Sequence, residues 1–334
     1  MRWIFKITVI AVLIVLISCQ RKPLEEEYYT TALIPVKVLW EHSGMQPTKS
    51  EAGDFVSRVS FRFFPKDGSA PFERYLETNV REGAIEVPVG KYALLVMNES
   101  VSDPFWSDYL SFSDIDDFSK ISATLNVDDP SKYDFYKPKI GEAFAVEAPK
   151  LASWSIDDFE VTSEMAQASR SDNGTTILAL EADLQQLTYS YSVVATIENL
   201  QSVMTMYGAM QGFANRVFLS TRKTGRSPAT TFFRFNGRKF KSSPEQTDGV
   251  TKYVLSTFGR LPIGEQYNLL VDIVFVNGSR YTPNSPNDLL FNVTDVVTNS
   301  IELNIEIPIA LKLPKVDGDV GVGDWKDDET IIIK

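Results

Sequence analysis

Few residues in this chain are equipped for chemistry, and their placement argues against catalysis. Among 334 residues there is one histidine, His42, and one cysteine, Cys19. Those counts remove most Ser-His-Asp, Cys-His and multi-histidine zinc arrangements. His42 precedes the polar run Ser43–Ser50 and reads as a loop residue. Two acidic groups, Asp114/Asp116/Asp117 and Asp128-Asp129, have the spacing of an acid–base pair such as a glycosidase uses. The net charge is −11, however, and clustered acids on such a chain usually form its solvated face. In Asp317-Gly318-Asp319-Val320-Gly321-Val322-Gly323-Asp324, oxygen ligands alternate as in a calcium loop, but Gly321 stands where a third ligand belongs. That run reads as a solvated linker. No enzyme and no cofactor is expected.

Cys19 is placed for a different reaction. Arg2 and Lys6 precede the eleven-residue stretch Ile7–Ile17, apolar except for Thr8, and Ser18 and Cys19 follow. That is the layout of a secretory signal. As a helix the stretch reaches about 16 Å, short of the ~30 Å hydrocarbon core. Leu16-Ile17-Ser18-Cys19 resembles a bacterial lipobox, which implies cleavage before Cys19 and a lipid on its sulfur. Several acyl chains at about 0.8 kcal/mol per buried CH₂ make such an anchor nearly permanent. Residues 1–18 are therefore expected to be signal and 19–30 a tether. The cluster Glu25-Glu26-Glu27 resembles the export signal that sends Bacteroidetes lipoproteins to the outer face of the outer membrane, although an ordinary linker has the same composition.

The whole chain is 43% apolar and 12% aromatic, enough to bury a core, and without a second cysteine it has no internal disulfide. Its acidity makes nucleic acid a poor partner. Period-two alternation dominates: Ile34/Val36/Val38 before Trp40, Val59/Phe61/Phe63, and Leu187 to Ile197 over eleven residues. The unbroken apolar run Tyr92–Met97 predicts a central strand covered on both faces. Residues 98–148 read as loops with one short helix. Gln201–Gln211 fits a helix weakened by Gly208 and Gly212. Strands are expected at 215–221, 230–235, 252–258, 267–276 and 299–307, and the Asn236-Gly237 and Asn277-Gly278 pairs suit tight hairpins. Pro149–Trp154 marks a change of character, which places one sandwich at 31–149, a second at 150–314, and a linker with a last strand at 315–334.

Several segments in this order resemble the fimbrillin-type lipoproteins of Bacteroidetes, the group holding fimbrial anchor, accessory and shaft subunits. They are the lipobox, the first strand ending in Trp40, Arg62-Phe63-Phe64-Pro65-Lys66-Asp67-Gly68, Val87-Pro88-Val89-Gly90-Lys91-Tyr92, Tyr207-Gly208-Ala209-Met210, Ser256-Thr257-Phe258-Gly259 and Phe291-Asn292-Val293-Thr294. The resemblance implies an all-β chain of two tandem transthyretin-like β-sandwich domains, no catalysis, and a surface role in anchoring or assembling a pilus with other fimbrial subunits through β-strand addition. Shaft subunits of that group are cut after an arginine, whereas anchors are not. Arg58, Arg62, Arg74 and Arg81 follow the first strand and none is marked as a processing site, which favours an uncut anchor or accessory protein at the outer membrane. The terminal Thr330, Ile331, Ile332 and Ile333 suit either a strand donated to a partner or the chain's own last strand. A second reading is a glycan-binding surface lipoprotein, with Phe105/Trp106/Tyr109 or Tyr133/Phe135/Tyr136 as a stacking platform.

Overall fold

The computed structural model describes residues 29–45, 58–129, 143–170, 179–241, 247–262, 266–281, 289–299 and 304–316. The chain begins with β1 (Thr31–Leu39), β2 (Val59–Pro65), β3 (Phe72–Leu76), β4 (Glu82–Pro88) and β5 (Gly90–Asn98). Three short strands follow, β6 (Leu110–Ser113), β7 (Ser122–Leu125) and β8 (Ala143–Ala145), then β9 (Ala152–Val161), β10 (Leu180–Asp183) and β11 (Gln185–Gln186). The first sandwich faces a sheet of order β10–β1–β4 against one of order β11–β9–β5–β2–β3. Ala32, Ile34, Val36 and Val38 of β1 meet Phe61, Phe63, Leu94 and Val96 of the opposite sheet in one core.

β5 is the middle strand of its sheet and is buried from Tyr92 to Asn98. Tyr92, Leu94 and Val96 point into the sandwich core, while Ala93, Leu95 and Met97 point into a second core on the other face. The unbroken apolar run thus has the meaning expected of it.

The second sandwich is built from β12 (Tyr189–Glu198), β13 (Val203–Ala214), β15 (Pro228–Arg234), β16 (Asn236–Phe240), β17 (Gly249–Thr257), β18 (Asn268–Phe275), β19 (Leu290–Asn292) and β20 (Asn304–Lys312), with β14 (Arg216–Phe218) lying outside its two sheets. Its sheets have orders β16–β17–β12–β20 and β19–β18–β13–β15–β8. Tyr191, Val193, Ala195 and Ile197 of β12 alternate into its core, as the sequence pattern requires, beside Ile305, Ile307, Ile309 and Leu311 of β20. Among the described residues the α-helices are α1 (Ser163–Ala168) and α2 (Thr294–Asn299).

Residues 98–148, expected as loops with one short helix, carry β6, β7, β8 and a turn of 3₁₀ helix at Pro104–Asp108, and three further expectations are corrected. The stretch 201–211 is not a helix: after a turn of 3₁₀ helix it becomes β13, paired with both β15 and β18. Its glycines serve that pairing. A Cβ on Gly208 would lie 2.3 Å from the Phe233 ring, and Gly212, at φ +90°, sits where the register with β15 shifts by one residue. Asn236-Gly237 does not close a hairpin; it carries the chain from β15 in one sheet to β16 in the facing sheet. Asn277-Gly278 does turn tightly, with the Phe275 N–H donating to the Ser279 carbonyl at 2.7 Å.

The third correction concerns residue 150. β8 lies before it yet pairs with β15 of the second sandwich, whereas β9, β10 and β11 lie after it and belong to the first. A cut at 150 therefore divides strands that share sheets, and the second sandwich's own strands start with β12. The exchange is welded by a third sheet, β14–β7–β6, and by a shared core in which Leu95, Met97, Trp106 and Leu125 pack with Val217, Leu219, Phe258 and Leu261.

Candidate assembly strands and surrounding surfaces

Two strands, β1 and β20, differ in how their backbone edges are satisfied. β1 is bonded along both edges, antiparallel to β4 from Thr31↔Pro88 to Lys37↔Glu82 and parallel to β10 from Val36↔Leu180 to Leu39↔Asp183. Its end is fastened by the Trp40 indole N–H, which donates to the Val80 carbonyl at 3.1 Å. β1 fills a slot between two strands, under 4% exposed at each of its four inward side chains.

β20 is the opposite case. It pairs in parallel with β12 from Ser190↔Asn304 to Glu198↔Lys312, and its other edge has no partner among the described residues. A nine-residue edge is a template for another strand unless something blunts it. Pro308 removes one backbone donor at its centre, and Glu306 and Lys312 present charge beside it.

Arg58 is the arginine that separates β1 from β2. Its carbonyl accepts from the Glu99 N–H at 3.1 Å, its guanidinium lies 3.6 Å from Glu99 and 3.8 Å from Asp103, and the next residue, Val59, is fully buried. Arg62 is 9% exposed and pairs with Glu73 at 2.9 Å and Asp116 at 3.3 Å. The Arg74 side chain donates to the Glu86 carbonyl at 2.7 Å, and the Asn79 Oδ1 accepts from the Arg81 N–H.

Cys19 and the Thr330–Ile333 segment lie outside the described residues, as do Asp317–Asp324 and the Tyr133/Phe135/Tyr136 group. The other aromatic group does not form a platform. Trp106 is buried, its indole N–H donating to the Ser100 carbonyl at 2.8 Å, and the Phe105 ring meets it at 69° rather than flat. Fixing the indole leaves Phe105 and Tyr109 tilted at 38° to one another, so no coplanar row remains.

The acidic groups have structural duties. Hydrogen bonds from Lys120 and Ser119 hold the Asp117 carboxyl down at about 2, so it stays ionised and unfit to shuttle a proton near neutrality. His42 sits in the turn after β1 with Nδ1 3.0 Å from Asp183. No group of three or more His, Cys, Asp or Glu suited to a metal occurs among the described residues.

Asp272 is a misfit in the sheet. It is 8% exposed, its Oδ2 is buried without a partner, and burial raises its pKa although Arg280 opposes the shift. Because the folded state holds this proton more tightly than the unfolded chain, stability falls as pH rises from the ordinary value of 3.8 through the raised one. Asp272→Asn should therefore raise the melting temperature at pH 7, by the equivalent of about 1 kcal/mol, with the advantage gone at pH 4. Thermal melts at the two pH values check this.

Comparison with known proteins supplies the wider setting. A family model described as a domain of unknown function, DUF5119, matches residues 18–234. Comparison with curated proteins returns no match. Among solved structures, a candidate adhesin from Bacteroides ovatus superposes with a TM-score of 0.54 at 15% identity, covering 90% of this chain and 98% of that one. The fimbrial anchor protein Mfa2 of Porphyromonas gingivalis gives 0.45 at 12%, covering 84% and 90%. A fimbrial assembly protein of Parabacteroides distasonis gives 0.36 at 8%, covering 83% and 91%. Of these three the first establishes a shared fold, and it does so over nearly the full length of both chains.

Proposed function

The chain belongs to the DUF5119 family, and from its paired sandwiches and the layout around Cys19 we propose that it is a lipid-anchored structural protein of the cell surface, an anchor or accessory subunit of a pilus. The observation that carries the reading is the fold shared end to end with a candidate adhesin. β1 adds a mechanism, since a strand seated between two neighbours is the element that strand addition replaces or supplies. An uncut chain is favoured by the setting of Arg58: the bond a protease would cut lies between a hydrogen-bonded carbonyl and a buried residue at the head of β2. The lipid belongs on Cys19, and the Thr330–Ile333 segment is the candidate donated strand.

Native purification from outer membranes tests this. The wild-type chain should carry radiolabelled palmitate and bring fimbrial subunits with it. Cys19→Ala should lose essentially all label and move to the soluble fraction, while a chain lacking residues 325–334 should keep the label and lose its partners. A Cys19→Ala chain that stays membrane-bound, or partners that are retained without residues 325–334, would remove the anchor or the donor role respectively.

A further inference from the structure

One cleft has a charge opposite to that of the chain. It opens between the start of β12, the hairpin formed by residues 216–227, and Phe258–Pro262, with a volume near 1390 Å³. Its wall carries Arg216, Arg222, Lys223, Arg226 and Arg260, on a chain of net charge −11. Among the described residues the lining holds no Asp or Glu. Arg222, Lys223 and Arg226 are exposed and have no carboxylate partner among the described residues.

The cations are displayed on rigid backbone. The Phe218 N–H donates to the Lys223 carbonyl at 2.9 Å, and the Gly225 N–H to the Arg216 carbonyl at 2.7 Å. The hairpin is fastened by β14–β7 pairing in the third sheet, by the Leu219 N–H donating to the Ile121 carbonyl at 3.0 Å, and to β9 of the first sandwich by the Ser153 hydroxyl donating to the Leu219 carbonyl at 2.7 Å. Arg222 stands at φ +58°, in the left-handed region that glycine fills without strain. A cation is thus kept where the backbone disfavours any side chain.

The other lining groups suit a polyhydroxylated ligand. Ser119, Thr124, Thr221, Thr224, Ser227 and Thr298 bring hydroxyls, Tyr189 and Phe218 bring partly buried rings, and the Asn215 Oδ1 is buried without a partner. An extended peptide finds no ladder to join, because β14 is bonded to β7 on one side and to residues 223–225 on the other. The volume exceeds the ~300–1000 Å³ of ordinary small-molecule sites. Screening over about 8 Å at physiological salt lets local cations outweigh the distant negative charge.

We propose that this cleft binds an acidic oligosaccharide, with its carboxylates or sulfates forked by Arg222 and Arg226 and met by the Lys223 ammonium as a point charge, and its hydroxyls held by the Ser and Thr lining. Because the ligand is soluble, the inference stands whether or not the chain joins a pilus.

Titration calorimetry tests it with the chain beginning at Arg21, which retains every described element. The probes are oligogalacturonates of four to six sugars, heparin hexasaccharide, neutral maltohexaose and polyglutamate. Binding is expected for one or both acidic saccharides, the carboxylated and sulfated arms identifying the anion, and not for maltohexaose or polyglutamate. The triple variant Arg222→Gly, Lys223→Ala, Arg226→Ala should bind at least about tenfold more weakly. Arg222→Gly alone should weaken binding without lowering the melting temperature, which separates loss of charge from loss of fold. Absence of binding by both acidic saccharides, equal binding to the triple variant, or equal binding of polyglutamate would overturn the assignment.

Discussion

A chain beginning at Arg58, and so lacking β1, is expected to lose the folded first sandwich and to regain it when a peptide of residues 29–41 is added. Ile34, Val36 and Val38 are at most 3% exposed, and each contributes about 2 kcal/mol on burial. Their combined loss is of the order of the 5–15 kcal/mol that holds a whole domain together. The backbone loses as well, because β4 and β10 both pair with β1 and would be left with open edges. Amide exchange reads the outcome: β2 and β5 should lose protection in the shortened chain and recover it with the peptide. If the shortened chain keeps full protection, β1 is dispensable and its slot is no seat for an exchanged strand. Recovery with the peptide would show that the seat accepts a strand supplied in trans.

The second large effect is expected at Phe258. This side chain is fully buried in the core shared by the two sandwiches, in one cluster with Leu95 and Met97 of β5, Leu125 of β7 and Trp106. Truncating a buried phenylalanine costs about 3–5 kcal/mol, part of it for the cavity left behind. Because β8 and β14 also cross between the halves, calorimetry of the wild-type chain should show one cooperative transition. Phe258→Ala should lower that transition and split it in two. A wild-type chain that already melts in two steps would mean the shared core couples the halves weakly.

Strands with one buried face were legible in the sequence, since β12 shows period two over its whole length and β5 shows the unbroken run of a doubly covered strand. The β13 segment misled because Met206 and Met210 also fit a helical stripe. What decides the matter is pairing with β15 and β18, far along the chain. The exchange of β8 and β9 across residue 150 left no mark, because alternation says which face is buried and not which sheet a strand enters. The basic cleft was equally hidden. Arg216, Arg222, Lys223 and Arg226 look like scattered surface charge until the hairpin folds them toward Arg260.

The parallel pairing of β1 with β10 and of β20 with β12 bears on force. For a chain tethered at Cys19, as proposed, drag from flowing liquid arrives at residue 29, and a pull along β1 drags it lengthwise past both neighbours. Bonds on the two sides are then stretched together instead of peeling apart one at a time. Survival under such drag is set by the rate of rupture rather than by equilibrium stability, so an attachment of this design outlasts brief surges even where its folding free energy is modest.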